Sequence, residues 1–298
     1  MIPIDLSGKV ALVTGVGDND SFAWYIGKAL QAAGARVVLA CHPRMTGIVE
    51  KLLETTSDPE DVAKRKLPDG SDFKPVKIYP CDVSYDTMAD VKLEELPEST
   101  RRHYAKMTAD YSIGGMVAAV AKDFGRIDAL IHSVAFSREI TKPLLDTSRK
   151  AYHEAMGISA YSLVSLTRAA APHMPDGGSV VGLTYIGGER VIPYYGGGMS
   201  TAKAALQLDA KQLAWFVGEK NVRVNLISAG PYASRAARSI RPGEFEKSIE
   251  HAAAHSPLRR PIDPQEVANA TLFLCSPLAS AVTGHVLYVD CGYHAMGT

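Results

Sequence analysis

The stretch Val10-Ala-Leu-Val-Thr-Gly15-Val-Gly-Asp-Asn-Asp-Ser21-Phe22-Ala-Trp-Tyr-Ile-Gly27 decides how this chain folds. Val10 to Thr14 is a short apolar run rich in β-branched residues between Gly8 and Gly15, and it reads as a strand buried on both faces. From Phe22 to Ala33 the apolar residues return at helical spacing, and Gly34 stops the helix. Strand, glycine turn and helix in that order predict the first unit of a parallel sheet. The turn also suits a pyrophosphate, because glycine permits close backbone approach and the helix start offers free amides and a positive dipole end. Asp20 stands where a strict Gly-x-Gly-x-x-Gly has its last glycine, so the turn alone is a weak signal.

The pattern repeats outward. Arg36 to Ala40, Val76 to Pro80, Ala129 to His132, Ser179 to Thr184, Val222 to Ile227 and His285 to Val289 read as further strands. Helical spacing separates most of them, over Met116 to Phe124, Lys150 to Ala171, Met199 to Val217 and Pro264 to Leu274. The alternation predicts an α/β fold, a single Rossmann-type doubly wound parallel sheet of about seven strands with helices on both faces. Residues 1–298 read as one domain, without linker or repeat. Two polar segments, Glu54 to Lys74 and Leu93 to Tyr104, interrupt the short connections and read as solvated surface insertions.

Composition excludes several function classes. Of the 298 residues 46% are hydrophobic and 21% charged, with 32 basic against 32 acidic side chains, so neither nucleic acid nor an anionic membrane is an expected partner. No apolar run reaches transmembrane length, and the amino terminus lacks a signal-peptide pattern. Cys41, Cys81, Cys275 and Cys291 are scattered, with no metal-ligand spacing, which fits reduced thiols in a cytoplasmic protein.

The chemistry-bearing stretch is Tyr185-Ile-Gly-Gly-Glu-Arg-Val-Ile-Pro-Tyr-Tyr195-Gly-Gly-Gly-Met-Ser-Thr-Ala-Lys203. Two tyrosines stand ten residues apart and a lysine follows eight after the second. Behind a nucleotide turn, a phenol and an ammonium form the acid and electrophile pair of a hydride-transfer enzyme. No tyrosine of this stretch has a lysine four residues on: those positions hold Glu189, Gly198 and Met199. The wider gap suits an electron-poor C=C whose activating carbonyl lies one bond beyond the hydride acceptor. At the end of the second strand His42 and Arg44 stand where an acid would meet ribose hydroxyls, which leaves NADH and NADPH both open at this point.

These motifs, with Cys81-Asp-Val83, Ile131-His-Ser-Val-Ala-Phe136, Lys142-Pro-Leu-Leu-Asp-Thr-Ser-Arg-Lys150, Val224-Asn-Leu-Ile-Ser-Ala-Gly-Pro231 and Tyr288-Val-Asp290, run along essentially the whole chain. It resembles the enoyl-acyl-carrier-protein reductases of type II fatty-acid synthesis, a divergent branch of the short-chain dehydrogenases, in their plastid, apicomplexan and chlamydial form. In the ketone-reducing relatives tyrosine and lysine lie four residues apart. The chain departs from the subgroup at His42, where a tryptophan is usual, at Phe136, where it is nearer the common bacterial form, and at Tyr232, which is bulkier than the usual Leu or Ile.

The resemblance implies NADH as cofactor, acyl carrier protein bearing an enoyl thioester as partner, and a homotetramer with the last two helices in its interfaces. It implies three catalytic residues: Tyr195 holding the thioester carbonyl, Lys203 holding the nicotinamide ribose, and Tyr185 lining the acyl pocket and assisting near the same thioester. Gly15, Ser21 and Phe22 would meet the pyrophosphate. Asp82 and Val83 would fix adenine, with His42 beside it. Ser133 and Val134 would face the ribose, and Ser137 the substrate. Tyr232 would grip the carboxamide, and Ala233, Ser234, Arg235 and Ala236 would follow the cofactor. Residues 233–258, charged, Ala-rich and short of large apolar side chains, read as a substrate-binding lid. Two other readings are a 3-oxoacyl or other carbonyl reductase using NADPH, and a non-catalytic NAD(H) sensor.

Overall fold

The seven predicted strands pair in one parallel sheet, described here from a computed structural model that covers residues 4–235, 238 and 244–297. They are β1 (Val10–Thr14), β2 (Arg36–Cys41), β3 (Lys77–Pro80), β4 (Ala129–His132), β5 (Ser179–Thr184), β6 (Arg223–Ala229) and β7 (Val286–Val289), in the order β3-β2-β1-β4-β5-β6-β7. Chain order reverses between β1 and β4, and Thr14 lies level with Ala40 on one side and His132 on the other. Ligands bind in the crevice outside such a switch point, at the carboxyl ends of the strands.

Each central strand is apolar on both faces because helices cover both. Ala11 and Val13 face a core shared with α1 (Phe22–Ala32), whose Trp24, Ile26 and Leu30 are fully buried. Val10 and Leu12 face the opposite core, with α5 (Ile113–Phe124), α7 (Ser162–Ala170) and α8 (Met199–Gly218). This two-residue alternation is what the apolar run at 10–14 encodes. Ser21 caps α1 by accepting the Trp24 N–H, and Ser112 caps α5 by accepting the Gly115 N–H.

The predicted long helix over 150–171 is interrupted. α6 (Arg149–Met156) passes through a π turn at Gly157–Tyr161 before α7 begins. The wider turn sets Ser159 against the loop after β4, where its Oγ accepts the Phe136 N–H at 2.9 Å and donates to Phe136 O at 3.1 Å. π turns of this kind cluster at functional sites.

Neither polar segment is a plain solvated loop. The first follows α2 (Thr46–Glu54) and builds α3 (Pro59–Arg65), then a bridge from Lys66 to Asp72. Its Phe73 is fully buried, edge-on to Trp24 at 5.2 Å, over Gly27, where a Cβ would come within 2.7 Å of the ring. The second forms α4 (Glu98–Tyr104), which buries Tyr104. Average composition misread both, because one large buried side chain outweighs the charged residues around it. Two further helices follow β6: α9 (Glu244–His255) and α10 (Pro264–Cys275), the latter opened by a capping box of Asp263 and Glu266.

Candidate active site

Beyond the end of β5, Tyr185 and the loop carrying Tyr195 turn toward each other, and their rings meet edge to face with centroids 4.9 Å apart. Gly187 permits the approach, since a Cβ there would lie 2.9 Å from the Tyr195 ring and 3.0 Å from the Tyr185 ring. Tyr194, by contrast, is 64% exposed, so Tyr195 is the phenol that faces Tyr185. Burial pushes Tyr185 up to about 12, with Tyr293 adding to the shift, and pushes Tyr195 up as well. Both hydroxyls therefore keep their protons at neutral pH and remain donors.

Lys203 follows on the first turns of α8. Its side chain is buried, and Nζ donates to Leu183 O at 2.8 Å, which brings the ammonium to the carboxyl end of β5. Burial lowers it to about 8, so most of it carries charge at neutral pH. Gly188 packs on the backbone at Lys203, where a Cβ would be 2.9 Å from its carbonyl carbon. The three glycines after Tyr195 have a packing reason too. A Cβ on Gly196 would fall 1.9 Å from Lys142 O, and one on Gly197 within 2.5 Å of Glu139 O. Ser137 is buried in the same contact and donates to Gly197 O at 2.7 Å.

Below this group, His132 ends β4 fully buried. Ser162 Oγ donates to Ile158 O at 2.7 Å, so it accepts from His132 Nε2, also at 2.7 Å, and the ring proton sits on that nitrogen. Burial, reinforced by the Lys203 charge, holds His132 down at about 3. The imidazole is neutral beside the ammonium.

At the nucleotide end, Gly15 adopts φ +82°, and a Cβ there would strike Ser133 O at 2.0 Å, so Gly15, Ser133 and Val134 form one tight corner. Phe22 and Tyr232 meet at 5.2 Å. The first turn of α1 carries no acidic residue, which leaves its dipole free for an anion. Asp20 in the preceding loop is buried and matched by two cations, Lys64 of α3 and Arg238, the latter at 2.7 Å. Asn19 likewise donates to Asp61 of α3 at 2.7 Å. An insertion therefore braces the turn, and the Asp20 carboxylate in it is matched by cations.

Toward the far end of the sheet, His42 lies 3.5 Å from the Asp82 carboxylate, and Val83 is half-buried beside it. Burial opposes ionisation of Asp82, but bonds from His42 and Tyr104 outweigh it and hold the carboxyl down at about 2. Tyr232, Ala233, Ser234 and Arg235 continue from β6 along the same edge, and Ala236 lies outside the described residues. The expected residues thus fall along the carboxyl edge of the sheet, the line a dinucleotide takes across a switch point. Reading the sequence missed Tyr104, Lys64, His132 and Ser159. The first two sit in charged insertions and the last two in ordinary-looking apolar surroundings. Among the described residues no group of three or more His, Cys, Asp or Glu side chains could hold a metal ion.

A family model described as Enoyl-(Acyl carrier protein) reductase matches residues 76–294. The chain belongs to the enoyl-acyl-carrier-protein reductase family. A rice chloroplastic enoyl-[acyl-carrier-protein] reductase [NADH] is 46% identical over 99% of this chain and 77% of its own length. The corresponding FabI protein of a Nostoc species is 36% identical, covering 99% of each. Among solved structures, the Plasmodium berghei enoyl-acyl-carrier-protein reductase with triclosan superposes with a TM-score of 0.89 at 36% identity, over 97% of this reductase and 98% of that chain. An Anaplasma phagocytophilum reductase in complex with NAD gives a TM-score of 0.79 at 32% identity, over 98% and 96%.

Proposed function

We propose that Tyr195 and Lys203 carry the reduction of trans-2-enoyl-acyl-carrier-protein to the saturated acyl form. This NADH-dependent reduction, the last step of the fatty-acid elongation cycle, is the activity of the chain. The pairing of two protonated phenols just beyond β5, with a buried ammonium bonded at the carboxyl end of the same strand, supports the residue assignment. Bound NADH supplies the hydride that reaches C3 of the enoyl group. Negative charge then gathers on the thioester oxygen, where Tyr195 O–H donates a hydrogen bond that strengthens as the charge develops, and a proton taken up at C2, ultimately from solvent, completes the saturated acyl product. Lys203 Nζ holds the ribose hydroxyls and adds its positive field. Tyr185 packs against Tyr195, lines the acyl pocket and excludes water from the oxygen. Gly15, Ser21 and Phe22 take the pyrophosphate, Ser133 and Val134 the ribose, and Asp82, Val83 and His42 the adenine. Ser137 meets the substrate, and Tyr232 to Ala236 follow the nicotinamide.

A homotetramer accompanies this reading. α8 exposes Leu208, Trp215 and Phe216, and large apolar side chains grouped on one exposed helix support a subunit interface there. No helix among the described residues is long and apolar enough to cross a membrane, the four cysteines are free thiols, and a cytoplasmic location is part of the reading. Residues 233–258 are proposed as the lid over the acyl chain. Slower hydrogen exchange over 244–258 with cofactor and an acyl ligand is expected, and equal protection with and without them would make α9 a fixed wall.

Initial rates test the function. NADH fluorescence should decay with a crotonyl thioester and stay constant with an acetoacetyl thioester. Decay only with the second would mean a carbonyl reductase, and NADH binding with neither reaction a sensor.

A further inference from the structure

We propose that Tyr104, carried by the second insertion, is a positioning residue for the adenine half of the cofactor, fixing Asp82 and His42 as one wall. The inference rests on the function proposed above and adds a residue to its cofactor site. α4 is otherwise charged and exposed on its outer side, yet Tyr104 is 3% exposed, with its ring 4.7 Å from Tyr111. The neighbouring His103 ring bonds Pro43 O at 2.7 Å, so α4 is anchored at two points against the end of β2.

The hydrogen bonds have one direction. The Arg44 N–H donates to His42 Nδ1 at 3.2 Å, which leaves the ring proton on Nε2. His42 Nε2 then donates to Tyr104 Oη at 2.9 Å. Tyr104 O–H in turn donates to Asp82 Oδ2 at 2.5 Å. The other oxygen, Oδ1, accepts the Ser84 N–H at 2.9 Å. Asp82 is therefore held at both oxygens, and its remaining lone pairs point in fixed directions. An adenine amino group needs such an acceptor, pre-oriented so that little order is lost on binding. Burial pushes the Tyr104 phenol well above its ordinary range, and the adjacent Asp82 charge adds to this, so it serves as a donor at any working pH. Tyr104 spans 22 residues to Asp82 and 62 to His42, tying the side chains that follow β2 and β3 to one hydroxyl.

Tyr104→Phe in the full chain tests this, because it keeps the ring and removes only the hydroxyl. The dissociation constant and KM for NADH should rise about tenfold, with kcat at saturating NADH and KM for the crotonyl thioester unchanged. With reduced nicotinamide mononucleotide, which has no adenine, variant and parent should perform alike. His42→Phe, which removes the donor into Tyr104, should weaken NADH in the same direction and serves if Tyr104→Phe does not fold. Unchanged NADH affinity, a fall in kcat, or an equal loss with the mononucleotide would overturn the proposal. If the parent reduces no enoyl thioester, the proposed function fails, while the NADH dissociation constants still judge Tyr104.

Discussion

Tyr195 meets Tyr185 edge to face at 4.9 Å across a turn whose Gly187 leaves no space for a methyl group. The pair is made by two loops, one following β5 and the other leading into α8. One half-buried phenol is thus backed by a second ring. Such a donor responds most to charge that develops during the reaction.

Tyr195→Phe should therefore lower kcat about 10²-fold while leaving the NADH dissociation constant near that of the parent. Steady-state kinetics with a crotonyl thioester and a separate NADH titration check both halves. A larger loss in Tyr194→Phe would move the assignment to the exposed neighbour.

The buried Lys203 predicts two pH effects. Burial lowers it from 10.5 to about 8, so between those values the unfolded chain binds more protons than the folded one and stability rises with pH. Function runs the other way, since the folded lysine loses charge above about 8. kcat/KM for NADH should fall through that region, and Lys203→Met should weaken NADH and flatten the limb. A profile of the parent that stays level to pH 10 would show that the charge is not used.

Gly196→Ala would press a methyl into the carbonyl of Lys142, 1.9 Å away. The loop must shift to relieve it, and Tyr195 is the adjacent residue. A displacement of about 1 Å at a reacting centre costs about 10²-fold in rate. Gly218→Ala, at a position open to space, serves as the control and should leave kcat/KM unchanged.

Trp215, 80% exposed on α8, should lie in a subunit interface. Trp215→Glu would introduce a charge there, and light scattering should report a smaller assembly. An unchanged tetramer would remove this face from the interface, and a parent that is monomeric would remove the tetramer altogether.

The sheet and the phenol–lysine stretch were legible because their signals are local. A strand buried on both faces must be apolar at consecutive positions, so Val10 to Thr14 and Ser179 to Thr184 declare themselves within six residues. Tyr185, Tyr195 and Lys203 lie within one short stretch, and Gly196 to Gly198 mark where the backbone needs room. The insertions were not legible, since their roles rest on single side chains meeting distant partners. Phe73 finds Gly27 and Trp24, Lys64 finds Asp20, and Tyr104 finds Asp82 and His42. Composition reports the average solvation of a segment, which charge dominates in both insertions. Only the tertiary structure decides which few residues of each turn inward, because that choice depends on a cavity or a buried carboxylate formed elsewhere in the chain.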